Sequence, residues 1–172
     1  MIGIGKWGAA LLGLVLCLGA GAAVAGQAGP PAEFRGLAFG SPLEECPGLS
    51  PVEVPGPRAG QYHDVYFRPD EPLNMGEARL VSVAYYFNES RLHSVAVVIR
   101  GDADAFLVKD QLIAKYGPGR QVGGRYGWTW PGFSLVMERA PDRDLNVLTY
   151  TWEPAAEDAP EIPSAGPIPL DP

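Results

Sequence analysis

The stretch Val81-Ser82-Val83-Ala84-Tyr85-Tyr86-Phe87-Asn88-Glu89-Ser90-Arg91-Leu92-His93-Ser94-Val95-Ala96-Val97-Val98-Ile99 decides the fold. Val81, Val83, Tyr85 and Phe87 recur with period two, and His93, Val95, Val97 and Ile99 do the same after them. Such alternation belongs to half-buried strands, because successive strand side chains point to opposite faces. Asn88-Glu89-Ser90 reads as the hairpin turn between them, and it also fits the N-glycosylation acceptor pattern. Strands joined by so short a link are antiparallel, since parallel neighbours need a crossover of a dozen or more residues.

Downstream the period changes. Ala105, Val108, Leu112 and Tyr116, with Phe106 and Ile113 beside them, form one apolar stripe at helical spacing. Asp102 or Asp104 is expected to cap this helix, and Gly117-Pro118 to end it. Period two then returns in Tyr126, Trp128 and Trp130. Pro131-Gly132 reads as a tight turn, and Phe133, Leu135 and Met137 continue the alternation. Pro141-Asp142-Arg143-Asp144 is a further turn, leading into a strand over residues 147–152. Upstream, strands are expected over 62–68 and, shorter, over 34–39. Ser41-Pro42-Leu43-Glu44 reads as a capped one-turn helix, with Ser41 as N-cap, Pro42 first in the helix and Glu44 closing a capping box. Pro47 stops it.

The expected fold class is therefore α+β: a two-layer antiparallel sheet packed against one long helix. The two helix-plus-three-strand halves begin at Ser41 and Asp102 and read as diverged repeats. The globular domain spans residues 34–153.

Both ends read as something other than fold. Residues 7–25 carry no charge, the run Ala9-Ala10-Leu11-Leu12-Gly13-Leu14-Val15-Leu16-Cys17-Leu18 is apolar, and Ala23-Val24-Ala25 fits a signal-peptidase site. Residues 1–25 thus read as a signal peptide and 26–33 as a flexible N-terminus. A retained anchor is the alternative, because the 19 uncharged residues approach the length of a spanning helix. Lipid attachment at Cys17 is disfavoured by Leu16, since that processing wants a small residue before the cysteine. Residues 154–172 hold six Pro and four acids with no aromatic residue or cation, and read as a disordered acidic Pro-rich tail.

The formal charge of −7, or −8 once Lys6 is removed, argues against a nucleic-acid partner. Cleavage leaves Cys46 as the one cysteine, so no intramolecular disulfide forms, and the thiol reads as a small buried hydrophobe. The expected location is periplasmic or extracellular. Membrane contact is expected only if the N-terminal segment is retained.

The opening Phe34-Arg35-Gly36-Leu37-Ala38-Phe39-Gly40-Ser41-Pro42-Leu43 resembles that of small exported bacterial proteins of uncharacterised function. The helix end Leu112-Ile113-Ala114-Lys115-Tyr116-Gly117-Pro118, followed by a Trp-containing hairpin, is similar to the same group. The order of elements is also similar to beta-lactamase inhibitory proteins and small outer-membrane assembly lipoproteins. That likeness concerns fold alone and implies no activity.

No catalytic constellation is visible. His63, Asp64, His93 and Cys46 do not share a metal-ligand spacing, and neither H-E-x-x-H nor paired C-x-x-C is present. Asp102/Asp104 and Asp142/Asp144 offer too few oxygens for calcium. His93-Ser94 point apart on a strand, and no G-x-S-x-G occurs. Gly117, Gly119, Gly123 and Gly124 follow a helix and read as a hairpin connection, not a phosphate loop. No cofactor is expected.

The feature with binding character is Tyr126, Trp128 and Trp130, with Phe133 beside them and Arg125 and Arg120 adjacent. If covered by the helix these rings are core; if open they form a patch for an envelope protein, peptide or glycan. The expected function is an exported binding or scaffolding protein of the cell envelope. The alternative is a secreted hydrolase using Cys46 or a His/carboxylate pair.

Overall fold

A computed structural model of the chain describes residues 28–53, 64–141 and 143–154. The signal-peptide segment, His63, Asp142 and most of the acidic tail lie outside the described residues. The strands are β1 (Glu33–Phe34), β2 (Leu37–Ala38), β3 (Ser50–Pro51), β4 (Val65–Phe67), β5 (Asn74–Met75), β6 (Ala78–Asn88) and β7 (Arg91–Arg100). The helix α1 (Gly101–Tyr116) follows, then β8 (Arg120–Val122), β9 (Arg125–Trp130), β10 (Phe133–Arg139) and β11 (Leu145–Trp152). The protein is α+β, and every strand pairing is antiparallel.

The main sheet runs β3-β4-β6-β7-β11-β10-β9-β8, with β5 also on β6. Two meanders therefore meet at its centre, where β7 pairs with β11 from Leu145↔Arg100 to Thr151↔Ser94. Helix α1 leaves the end of β7 and lays Ala105, Val108, Leu112 and Tyr116 on β6, β7 and β11. That is the stripe expected from spacing, except that Phe106 stands out of the core at 66% exposure. Gly117 ends the helix at φ 76°, its N–H donating to Ile113 O at 2.8 Å, as its position before Pro118 predicts. The opposite face of the sheet carries short, half-buried side chains, with Ala84, Ala96, Thr149, Val136 and Gly127 aligned across five strands.

The chain departs from simple alternation and local capping at several points. Leu80 pairs with Ile99 while Ser82 pairs with Val98, so Val81 is the extra residue of a β-bulge. The bulge shifts the alternation by one, burying Leu80 and leaving Val81 38% exposed. A second bulge between Tyr86↔Ser94 and Phe87↔Leu92 ejects His93 from the face of Val95, Val97 and Ile99 and seats Leu92 there. Residues 34–39 form a hairpin, not a strand. The one-turn helix is a 3-10 turn over Leu43–Glu45 with Pro42 as N-cap and no side-chain cap. Ser41 instead joins the β6–β7 hairpin: its carbonyl accepts from Leu92 N–H, and Leu43 N–H donates to Ser90 O. Neither Asp102 nor Asp104 caps α1; the N-cap is Arg100 and the two acids sit in the first turn. Asp104 accepts from Arg79 N–H of β6.

The Phe34-Arg35-Gly36 motif builds the turn of the β1–β2 hairpin. Arg35 and Gly36 both take positive φ, 50° and 80°, as a two-residue type I′ hairpin turn requires. Gly36 does so freely, whereas Arg35 is strained there. The guanidinium offsets that strain: it pairs with the Glu71 carboxylate and donates to Pro72 O and Asn74 O, both at 2.6 Å. The other Glu71 oxygen accepts from the Tyr85 hydroxyl at 2.6 Å. Phe34 meanwhile packs edge-on against Tyr85 and Tyr150. A loop 36 residues away is thus tied to the N-terminal hairpin through a carboxylate only 5% exposed.

Breaking a buried pair from one side costs about 3–5 kcal/mol, because the remaining charge has no partner. Arg35→Met should lose stability of that order in urea unfolding, and so should Glu71→Leu. The double variant should lose clearly less than their sum; additive losses would show that the pair is not coupled.

Candidate functional site

The aromatic residues singled out in the sequence separate into two groups. Trp128 is 6% exposed and belongs to the core. Its Nε1–H donates to Gly117 O at 2.8 Å, and its ring lies 6.1 Å from Tyr116 and 5.3 Å from Tyr126. Trp130 is half-buried, 5.3 Å from Tyr116. The rings thus carry the last turn of α1 and its exit. The Tyr126 hydroxyl accepts from Gly119 N–H at 2.8 Å. A Cβ at Gly119 would come within 2.7 Å of Gly127 O, so only glycine allows this close approach. Arg125 lies an odd number of residues from Trp128 and so faces the other side of the sheet. There it pairs with Glu138, its cross-strand neighbour, at 2.8 Å.

Tyr126 has a second environment. Between the first turns of α1 and the β8–β9–β10 end of the sheet lies a cleft of about 250 Å³. Phe106 and Lys109 line it from the helix, Gln121 from β8, and Tyr126, Met137 and Arg139 from the neighbouring strands. Its charges are unequally satisfied. Arg139 donates to both oxygens of Asp102 at 3.0 Å and reaches Asp144 at 3.4 Å. Asn146 Nδ2 donates to Gly101 O at 3.1 Å, fixing the start of the helix beside the cleft. The ammonium of Lys109 instead stands 3.9 Å from the Tyr126 ring centroid. This is a cation–π contact, and no carboxylate pairs with Lys109 among the described residues.

Strand β8 was not legible in the sequence, where Gly117, Gly119, Gly123 and Gly124 read as a plain connection. It ends the sheet, and all three of its side chains are exposed. Val122 stands at 73% exposure and Phe106 at 66%, the two highest values among the large hydrophobic residues described as exposed. Gln121 pairs with Tyr126 on the cleft side, and Val122 pairs with Arg125 on the other. Arg120 shares the Val122 side.

Among the described residues, the remaining chemical candidates do not gather into a metal or nucleophile site. Cys46 is buried and unpaired. Burial first and then Glu45 push its thiol above the usual 9.0; Arg68 pulls it back by less than Glu45 raises it, and Glu44 adds the smallest push. An activated nucleophile needs the opposite shift. His93 sits in its bulge, with no carboxylate hydrogen-bonded to it among the described residues. No three His, Cys, Asp or Glu side chains gather as a metal ion would need among the described residues.

The chain matches no protein-family model, no curated protein and no solved structure.

Two outcomes follow from this geometry. Trp128→Ala should cost about 3–5 kcal/mol of stability, as a large core truncation does, whereas Phe106→Ala should leave urea unfolding within about 0.5 kcal/mol, as exposed substitutions do. Equal losses would place both rings in the core. A thiol whose folded pKa is raised stabilises the fold below its unfolded pKa and loses that contribution as pH rises through the folded value. Stability should therefore fall above pH 9, and less steeply in Cys46→Ala. A further fall above pH 10 should persist in that variant, from Tyr85 and Tyr150, which burial raises above their usual 10.0. A profile unchanged by Cys46→Ala would remove the thiol from this linkage.

Proposed function

We propose that this chain is an exported, non-catalytic binding or scaffolding protein of the cell envelope, and that it engages its partner at the cleft and the β8 end of the sheet. One observation carries the docking reading: the two most exposed large apolar side chains among the described residues, Phe106 and Val122, flank a sheet edge that no described strand covers. Isolated exposed hydrophobics are ordinary, but a pair on either side of an open edge and beside a cleft is a docking arrangement. Cleavage after Ala25 delivers the domain to the periplasm or outside the cell, with residues 154–172 as a solvating acidic tail. An envelope protein or peptide fits this surface better than nucleic acid, given the formal charge of −7.

The likeness of Phe34-Arg35-Gly36-Leu37-Ala38-Phe39-Gly40 to small exported bacterial proteins supports the same reading. We also read the two halves as a duplication. In each, a helical turn or helix precedes strands that form a meander, and the last strands of the halves, β7 and β11, pair at the centre. The first copy keeps only the 3-10 turn over Leu43–Glu45 where the second has α1.

Export and docking can be tested together. The protein recovered from the envelope fraction should begin at Gly26. A photo-crosslinking phenylalanine analogue at position 106 should give discrete adducts in cells, and the same analogue at Glu89, in the β6–β7 turn, should not. Retention of Met1 in the cytosol would overturn export, and indistinguishable patterns at 106 and 89 would overturn docking.

A further inference from the structure

Resting on that binding reading, we infer that β8 takes up an extended acidic–aliphatic segment of another protein as an added antiparallel strand. The two ends of the sheet differ. At one end β3 is two residues long and contains Pro51, which cannot donate to a ladder. At the other, Arg120-Gln121-Val122 has no proline, and a free edge offers unpaired N–H and C=O groups to a further strand.

The side chains around this edge fit an added strand on both of its faces. Alternate residues of such a strand would lie over the cleft, against Phe106 and Lys109; the intervening ones would lie beside Val122 and Arg120. Each face thus offers one exposed apolar group and one cation. Neither Lys109 nor Arg120 has a carboxylate partner among the described residues, whereas Arg125 and Arg139 do. An incoming segment with an aliphatic and an acidic residue on each face would satisfy all four groups.

Two other occupants are disfavoured by their chemistry. The chain's own residues 154–172 contain six prolines, each unable to donate to the ladder. A second copy would add another Arg120-Gln121-Val122, which carries no carboxylate for Lys109 or Arg120.

The test uses a fluorescein-labelled, end-blocked Val-Glu-Glu-Val-Val-Glu-Glu-Val peptide, which presents alternating Val and Glu on both faces in either direction. Titration of the purified protein should give a saturable rise in anisotropy. Phe106→Ala and Lys109→Glu should each weaken binding roughly tenfold, equivalent to about 1.4 kcal/mol. The peptide with Lys in place of Glu, and the peptide N-methylated throughout, should not bind. Near-UV circular dichroism should report an unchanged fold in both variants. Absence of saturable binding, equal binding by the N-methylated peptide, or indifference to both substitutions would overturn the proposal. So would a protein dimer that Val122→Asp dissociates, which would give the edge to a second copy. Crosslinked adducts at position 106 without peptide binding would sink strand addition while leaving the docking surface in place; the absence of both adducts and peptide binding would sink both.

Discussion

The pairing of β7 with β11 is the join on which the rest of the molecule depends. It fuses two meanders into one sheet and obliges the chain to travel from the sheet's centre to its far end before returning. From β7 to β8 is four strand spacings, about 19 Å at roughly 4.8 Å each. A helix of 16 residues spans about 24 Å at 1.5 Å per residue. Helix α1 is therefore long enough to make the crossing while covering the core face, and its last turn comes down on Trp128 and Trp130. The cleft exists because the first turns of α1 stand over the sheet without filling the space above Tyr126 and Met137.

Much of this was legible in the residues. The helix stripe, its stop at Gly117-Pro118, and the turns at Asn88-Glu89-Ser90 and Pro131-Gly132 each follow from local chemistry. The bulges at Val81 and His93 were not: Leu80 and Val81 are both apolar, and His93 keeps period two with Val95, Val97 and Ile99, so alternation alone cannot tell which residue is extra. Strand β8 escaped for a different reason. It buries nothing, so it leaves no periodic trace and is held only by its ladder to β9. The expected caps failed because Ser41 and Asp104 are engaged by distant strands, which local rules cannot foresee.

The candidate site was half legible. Tyr126 does reach the cleft, yet Trp128, the most conspicuous ring in the sequence, supports the helix exit instead. Phe106 read as part of the helix's apolar stripe, and Lys109 carried no signal beyond lying on a helix. Arg35 likewise gives no hint in the sequence that it reaches Glu71, since the contact spans 36 residues. In a domain whose described residues hold no disulfide, this ion pair and the Tyr85 hydroxyl behind it perform the cross-linking a cystine would otherwise supply.

The unlike ends of the sheet have a consequence for assembly. A sheet open at both margins can grow without limit, each newcomer exposing a fresh margin, and that is the geometry of fibrils. Here, among the described residues of the main sheet, Pro51 blunts one terminal strand while Arg120-Gln121-Val122 at the other end holds no proline. A strand added at that margin would leave a proline-blunted margin at the far end of the sheet, which disfavours growth in both directions.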